Sequence, residues 1–278
     1  MNQANGYADL HLHTNHSDGY YSLTELIDKT LSHDLKTISI VDHDEIGALD
    51  EAIEYGKLKG IEVIPGVELS VSYKHFDLHV LGYCFDHKSP ELVEHLNLFK
   101  KERIQRAKKM VASLTKLGMP ISFEAVMKKA GHGSVGRPHI ANVLLDDEYV
   151  YSFQEAFNKY IGNGKPAHVG KLKIDIQAVL KLVKAAGGVC SIAHPGLELL
   201  DDDLLALIKE GVDAIEVVHP KHNGEKTKQL RQLAESNGVL TTGGSDFHGG
   251  RKGEEALGKY KVPCEVVTSL KKLAAHKI

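Results

Sequence analysis

The sequence predicts an α/β fold built on a parallel sheet or barrel, interrupted in its middle by a helical insertion. Three observations carry this. Short apolar runs alternate with amphipathic helical patterns. The central stretch, from about Pro90 to Tyr160, reads as helix with no convincing strand. Histidines and carboxylates recur just after the apolar runs, as expected where strand ends build a site.

The candidate strands are Ala8–His13, Thr37–Val41, Glu62–Leu69, Phe76–Tyr83, Gly188–Ala193, Asp213–Val218 and Val239–Thr242. Amphipathic helices are predicted near Leu23–Ser32, Ile46–Lys59, Ile176–Ala186, Asp202–Lys209 and Gly224–Asn237. "SLTE" from Ser22 has capping-box spacing and should open the first of them. In the insertion, the stretch from Glu91 to Gly118 reads as one long helix stopped by Gly118 and Pro120. A shorter helix should start near Arg137–Pro138. The chain therefore divides into a first barrel part (1–88), a helical cap (89–164) and a second barrel part (165–278).

The chain has 278 residues, 42% hydrophobic and 26% charged, with a net charge of -3. This argues against a broad basic surface for gripping long nucleic acid. No leader-like segment or apolar run long enough for a bilayer is evident. Three scattered cysteines do not make a disulfide framework and suit a reducing cytoplasm. The compositional outlier is histidine, with 17 residues.

In "DLHLH", strand alternation puts Asp9, His11 and His13 on one face and Leu10 and Leu12 on the other. Two imidazoles on one face can reach one metal ion. Partners follow in "VDHDE" (His43), "IPGVELS" (Glu68), "DLHVLGY" (His79), "CSIAHPG" (His194) and "TTGGSDFHGG" (Asp246 and His248). Mixed nitrogen and oxygen donors suit zinc, manganese or iron better than calcium or copper(I).

Together "DLHLHTNHSDG", "VDHD", "GVE", "LHVLGY", "AHP" and "SDFH" resemble the motifs of the PHP (polymerase and histidinol phosphatase) superfamily, in order from residue 9 to about 250. The resemblance implies a distorted (β/α)7 barrel with three divalent ions, manganese foremost, with zinc or iron as alternatives. It implies that His11, His13, Glu68 and Asp246 surround one ion. Glu68 would bridge to a second, held also by His79 and His194. Asp18, His43 and His248 would bind the third. Asp9 and Asp44 would stand behind the ligands and orient imidazoles, and His16 lies outside the set. A hydroxide held between ions would attack phosphorus in line.

"GRPHIA" in the insertion is similar to the subgroup of 3',5'-nucleotide bisphosphate phosphatases, AMP phosphatases and 5'-to-3' exoribonucleases. That implies a small nucleotide or short RNA as substrate and no membrane partner. Ser134, Arg137 and His139 are candidate phosphate contacts at a helix start, or simply solvated there. Arg106, sharing a helix face with Arg103, and Lys165 in "GNGKPAH" are further candidates. His219 and His222 in "VVHPKHN" could protonate a leaving oxygen or be plain loop residues. Three alternatives stay open: a histidinol phosphatase, an amidohydrolase-type barrel, and a non-catalytic PHP module.

Overall fold

The structure, a computed structural model, describes residues 6–277 apart from 75, 132, 173, 198 and 251–253. Its strands are β1 (Tyr7–Leu12), β2 (Leu35–Ile40), β3 (Glu62–Tyr73), β4 (Phe76–Tyr83), β5 (Val189–Ile192), β6 (Ala214–Val218), β7 (Leu240–Gly243) and β8 (Val262–Pro263). They form one sheet in the order β7-β6-β5-β4-β3-β2-β1-β8. The sheet curls into a nearly closed barrel. Phe247, just past β7, bridges to Leu12, donates from its N–H to the His11 carbonyl and accepts from the His13 N–H.

Two strands depart from the expected parallel arrangement, and one of them, the short β8, runs antiparallel to β1. β4 runs antiparallel to both β3 and β5. Residues 74–75 alone link β3 to β4, too short for the crossover that parallel strands need. β3 also runs past the predicted end, so Glu68 lies inside a strand. It still sits at the barrel rim, because β2 ends at Ile40, opposite Pro65.

The helices are α1 (Leu23–Thr30), α2 (Leu49–Lys59), α3 (Pro90–Lys116), α4 (Phe123–Ala130), α5 (Arg137–Asp146), α6 (Phe153–Ala156), α7 (Ile176–Ala185), α8 (Asp201–Lys209), α9 (Gly224–Ser236) and α10 (Cys264–Ala275). Ser22 caps α1 with the full reciprocal box to Glu25. Gly118, at φ 84°, follows the end of α3. β8 and α10 were not anticipated. α10 packs against β1, β2, β5 and β7, so it closes one end of the barrel with Val267 and Leu270.

α3 sets the architecture of the site. Its 27 residues make a rod of about 40 Å. Leu92, Leu96 and Phe99 belong to the barrel's largest apolar cluster. Ala107, Met110, Val111 and Leu114 belong to a separate cluster shared with α4, α5 and α6. Between these two apolar stretches lie Arg103 and Arg106, so the gap in the stripe is where basic side chains reach the barrel mouth.

Candidate metal centre and substrate cleft

β1 builds the floor of the site. Leu10 and Leu12 are fully buried among apolar neighbours, while His11 and His13 turn to the other face and are equally buried. The chain then doubles back. Asp42, at the end of β2, accepts from the Thr14 N–H (2.8 Å), the Thr14 hydroxyl (2.6 Å) and the Ser17 hydroxyl (2.5 Å). This pins the loop that presents Asp18. Gly19 is required there, since a Cβ would stand 2.4 Å from the His13 carbonyl oxygen.

Glu68 is the hub. Its Oε2 lies 3.5 Å from His11 Nε2, 3.3 Å from His13 Nε2 and 3.0 Å from His43 Nδ1. Its Oε1 lies 2.7 Å from His79 Nδ1 and 3.2 Å from His194 Nε2. Asp246 Oδ1 stands 3.4 Å from both His11 Nε2 and His13 Nε2. Asp18 Oδ1 is 3.1 Å from His248 and 3.7 Å from His43. Three non-glycine residues here adopt left-handed backbone: Asp44 (φ 51°), His194 (φ 28°) and Asp246 (φ 49°). Such conformations cost of order 1–3 kcal/mol each and cluster at functional sites.

Many of these atoms are buried without a well-formed hydrogen bond: His11 Nε2, both nitrogens of His13, Asp18 Oδ1, His43 Nδ1, Glu68 Oε2 and His79 Nδ1. Orphaned buried polar atoms are costly unless something binds them. Converging nitrogen and carboxylate donors are what a divalent ion would satisfy. Four overlapping groups place ligand atoms within 4.8 Å of one another: His13, Asp18, His43 and His248; His11, His219 and Asp246; His11, Glu68 and His194; His43, Glu68 and His79.

All nine sequence-derived ligand candidates fall in these groups, although the partition differs from the one the resemblance implies. His13 joins the Asp18 group, and His79 and His194 each meet Glu68 separately.

The electrostatics ask for positive charge. Burial alone would raise the carboxyls of Asp18, Glu68 and Asp246, but the surrounding imidazoles outweigh it and hold all three well below the ordinary range. Burial alone would lower His11 and His248. For His11, the carboxylates of Glu216, Asp246 and Glu68 win and hold the ring well above its usual value. For His248, Asp18 and Asp246 push it to about 10. His43 is carried by burial down to about 3.

A raised pKa means that His11 and His248 hold protons at neutral pH, which a metal ion must displace. Loading metal-free protein with manganese should therefore release protons at pH 7, and affinity should rise with pH. Calorimetry in buffers of different protonation enthalpy would show a sloped heat; equal heats in all buffers would contradict it.

The other candidates divide. Arg106, Arg137 and Ser134 line a cleft of about 550 Å³, open mouth included, whose floor is Asp18, His43 and His79. Arg106 donates from Nε to the Val169 carbonyl, while its buried Nη2 and the buried Ser134 hydroxyl find no partner. Arg137 lies over the Phe157 ring at 5.6 Å and reaches Asn163.

His139 is instead structural. Its Nδ1 accepts from the Gly136 N–H at 2.9 Å, and the ring also bonds to the Ser17 backbone. Lys165 is exposed and outside the cleft lining. Lys171 lines the cleft in its place, 3.3 Å from His79, with burial and then Arg103 bringing its amine down to about 8.

His222 has both ring nitrogens occupied, one donating to the Val217 carbonyl and the other accepting from the Gly196 N–H. His219 is buried, with Nε2 3.2 Å from Asp246, so it stands at ligand positions and not in an exposed loop.

Asp9 accepts from the His11 and Ser245 backbone N–H groups. Asp44 accepts from the Ser70 N–H and pairs with Arg103. Neither hydrogen-bonds an imidazole. That position belongs to Glu216, which sequence reasoning missed; the one signal was a lone acid inside the apolar run "AIEVV".

An α/β barrel with β4 and the short β8 reversed, carrying a buried histidine–carboxylate cluster at its rim and a basic helical wall beside it, defines a metal-site hydrolase class. The chain belongs to the PHP domain family, which matches residues 9–215.

It is 31% identical over 256 residues to a 3',5'-nucleoside bisphosphate phosphatase of Chromobacterium violaceum, covering 90% of each chain. It is 30% identical over 247 residues to the 5'-3' exoribonuclease Rnm of Escherichia coli, covering 86% of this chain and 84% of that one. Among solved structures, a protein of Bifidobacterium adolescentis described as a metal-dependent phosphoesterase superposes with TM-score 0.89 at 28% identity, over 96% of both chains. A Chromobacterium violaceum protein described as an amidohydrolase, with bound sulfate and no metal, superposes with TM-score 0.86 at 29% identity, also over 96% of both.

Proposed function

We propose that this chain hydrolyses phosphate esters of small nucleotides: a 3',5'-bisphosphonucleotide, a 5'-mononucleotide or the end of a short 5'-phosphorylated RNA. The observation that carries the reading is the cleft itself. Its floor is the histidine–carboxylate cluster and its wall carries Arg103, Arg106, Arg137 and Lys171.

His11, His13, Asp18, His43, Glu68, His79, His194, Asp246 and His248 would hold three divalent ions, manganese first among them, with His219 as a further donor. When bound, such ions supply Lewis acidity, polarising phosphoryl oxygen and making water a competent nucleophile at neutral pH.

The chain's own residues do the positioning. Arg106 and Arg137 offer several donors to a phosphate, and Ser134 offers a hydroxyl. Lys171 and its neighbouring arginines repel one another, so an incoming phosphate restores local balance. Arg103 is held by Asp44 and braces the wall. The helical segment 89–164 acts as a cap over the two barrel parts, 1–88 and 165–278. Among the described residues no helix is long and apolar enough to cross a membrane.

A turnover screen of manganese-loaded protein tests the reading. It should include adenosine 3',5'-bisphosphate, AMP, short 5'-phosphorylated RNA, histidinol phosphate and a bis-ester. Turnover is expected on the nucleotides. Efficient hydrolysis of histidinol phosphate with none of the nucleotides would overturn it.

A further inference from the structure

We propose that Glu216 is a positioning residue that sets metal affinity by holding two ligands at once. It projects from β6 into the barrel and is fully buried. Its Oε1 lies 2.8 Å from His11 Nδ1, and its Oε2 accepts from the His194 backbone N–H at 2.7 Å. It belongs to none of the four ligand groups, so it acts through its neighbours. The inference rests on the reading of His11 and His194 as ligands.

The first contact fixes a tautomer. With Nδ1–H donated to Glu216, the proton that His11 gives up to a metal leaves from Nε2, so the lone pair arises on the atom aimed at Glu68 Oε2 (3.5 Å) and Asp246 Oδ1 (3.4 Å). The second contact holds backbone that would otherwise relax. His194 has φ 28°, a conformation rare for a residue with a side chain. Its N–H has one strong acceptor, a carboxylate oxygen. β1 and the loop after β5 are not adjacent in the sheet. A single carboxylate spanning the barrel interior therefore keeps their two imidazoles in register.

Glutamine has nearly the same shape but one acceptor oxygen, so Glu216→Gln must give up one of the two bonds or donate from its amide to His11 Nδ1 and force the wrong tautomer. Manganese titration of metal-free wild type and Glu216→Gln should show about 10- to 100-fold weaker binding of at least one ion in the variant. A residue that served only the fold would lower the melting temperature and leave affinity per folded molecule unchanged, and that result overturns the proposal.

If the variant does not fold, nitrogen-15 histidine spectra of metal-free wild type decide. His11 should carry its hydrogen-bonded proton on Nδ1; a ring donating only from Nε2 overturns the proposal. Wild type that binds no manganese would overturn the ligand reading together with it, whereas wild-type binding that Glu216→Gln leaves untouched removes only the positioning role.

Discussion

Glu68→Ala is expected to lower kcat/KM by on the order of 10³-fold or more and to strip bound metal while the fold persists. Its two oxygens are shared among five imidazoles, those of His11, His13, His43, His79 and His194. No other carboxylate in the cluster touches so many. Removing it leaves those rings without their common counter-charge, and neighbouring ions would lose a shared ligand together. Metal stabilisation of phosphoryl transfer is worth several kcal/mol, and each ~1.4 kcal/mol is a factor of ten in rate.

The fold should survive, because β3 is held by paired strands on both sides and Glu68 contributes no apolar contact to them. Steady-state kinetics, elemental analysis and circular dichroism check the three parts. Full activity in this variant would mean that the ligand map is wrong.

Phe247→Ala should be the most damaging change outside the ligand set. The ring is 1% exposed, packs with Leu12, Leu23 and Leu26, and stacks on Tyr21 at 6.2 Å. Truncating such a side chain costs about 3–5 kcal/mol, which for a chain this size corresponds to a fall of about 10 °C in melting temperature. The damage reaches the site because Asp246 and His248 flank it and its backbone is the seam closing the barrel on His11 and His13. Thermal denaturation and manganese binding should therefore decline together. A variant with native melting temperature and native metal content would contradict this account of barrel closure.

The ligand candidates were legible because their signals are local. The alternation in "DLHLH" is a property of one strand, and His43, His194 and Asp246 each follow an apolar run. What escaped depends on distant partners. Glu216 looks like any acid in a strand until the fold brings His11, 205 residues away in sequence, against it.

The lysine of the return from the cap was misread because a loop has no periodicity to say which side chain turns inward. Lys171 does and Lys165 does not. His222 and His139 were chosen for residue type, which cannot reveal that backbone groups already occupy their nitrogens. The reversal of β4 was missed because β3 was expected to stop at Leu69, which hid how short the link is, and α10 has no strand after it to suggest a repeating unit.

α3 is one unbroken helix seated in both apolar clusters, and the cap is tied down on its other side too. The Ser134 N–H donates to the His16 carbonyl at 2.7 Å, and His139 reaches the Ser17 backbone. The cap is therefore framed on two edges and does not hang from a hinge. The shape of the cleft is therefore set by packing on both edges, and it is already in place before any substrate arrives.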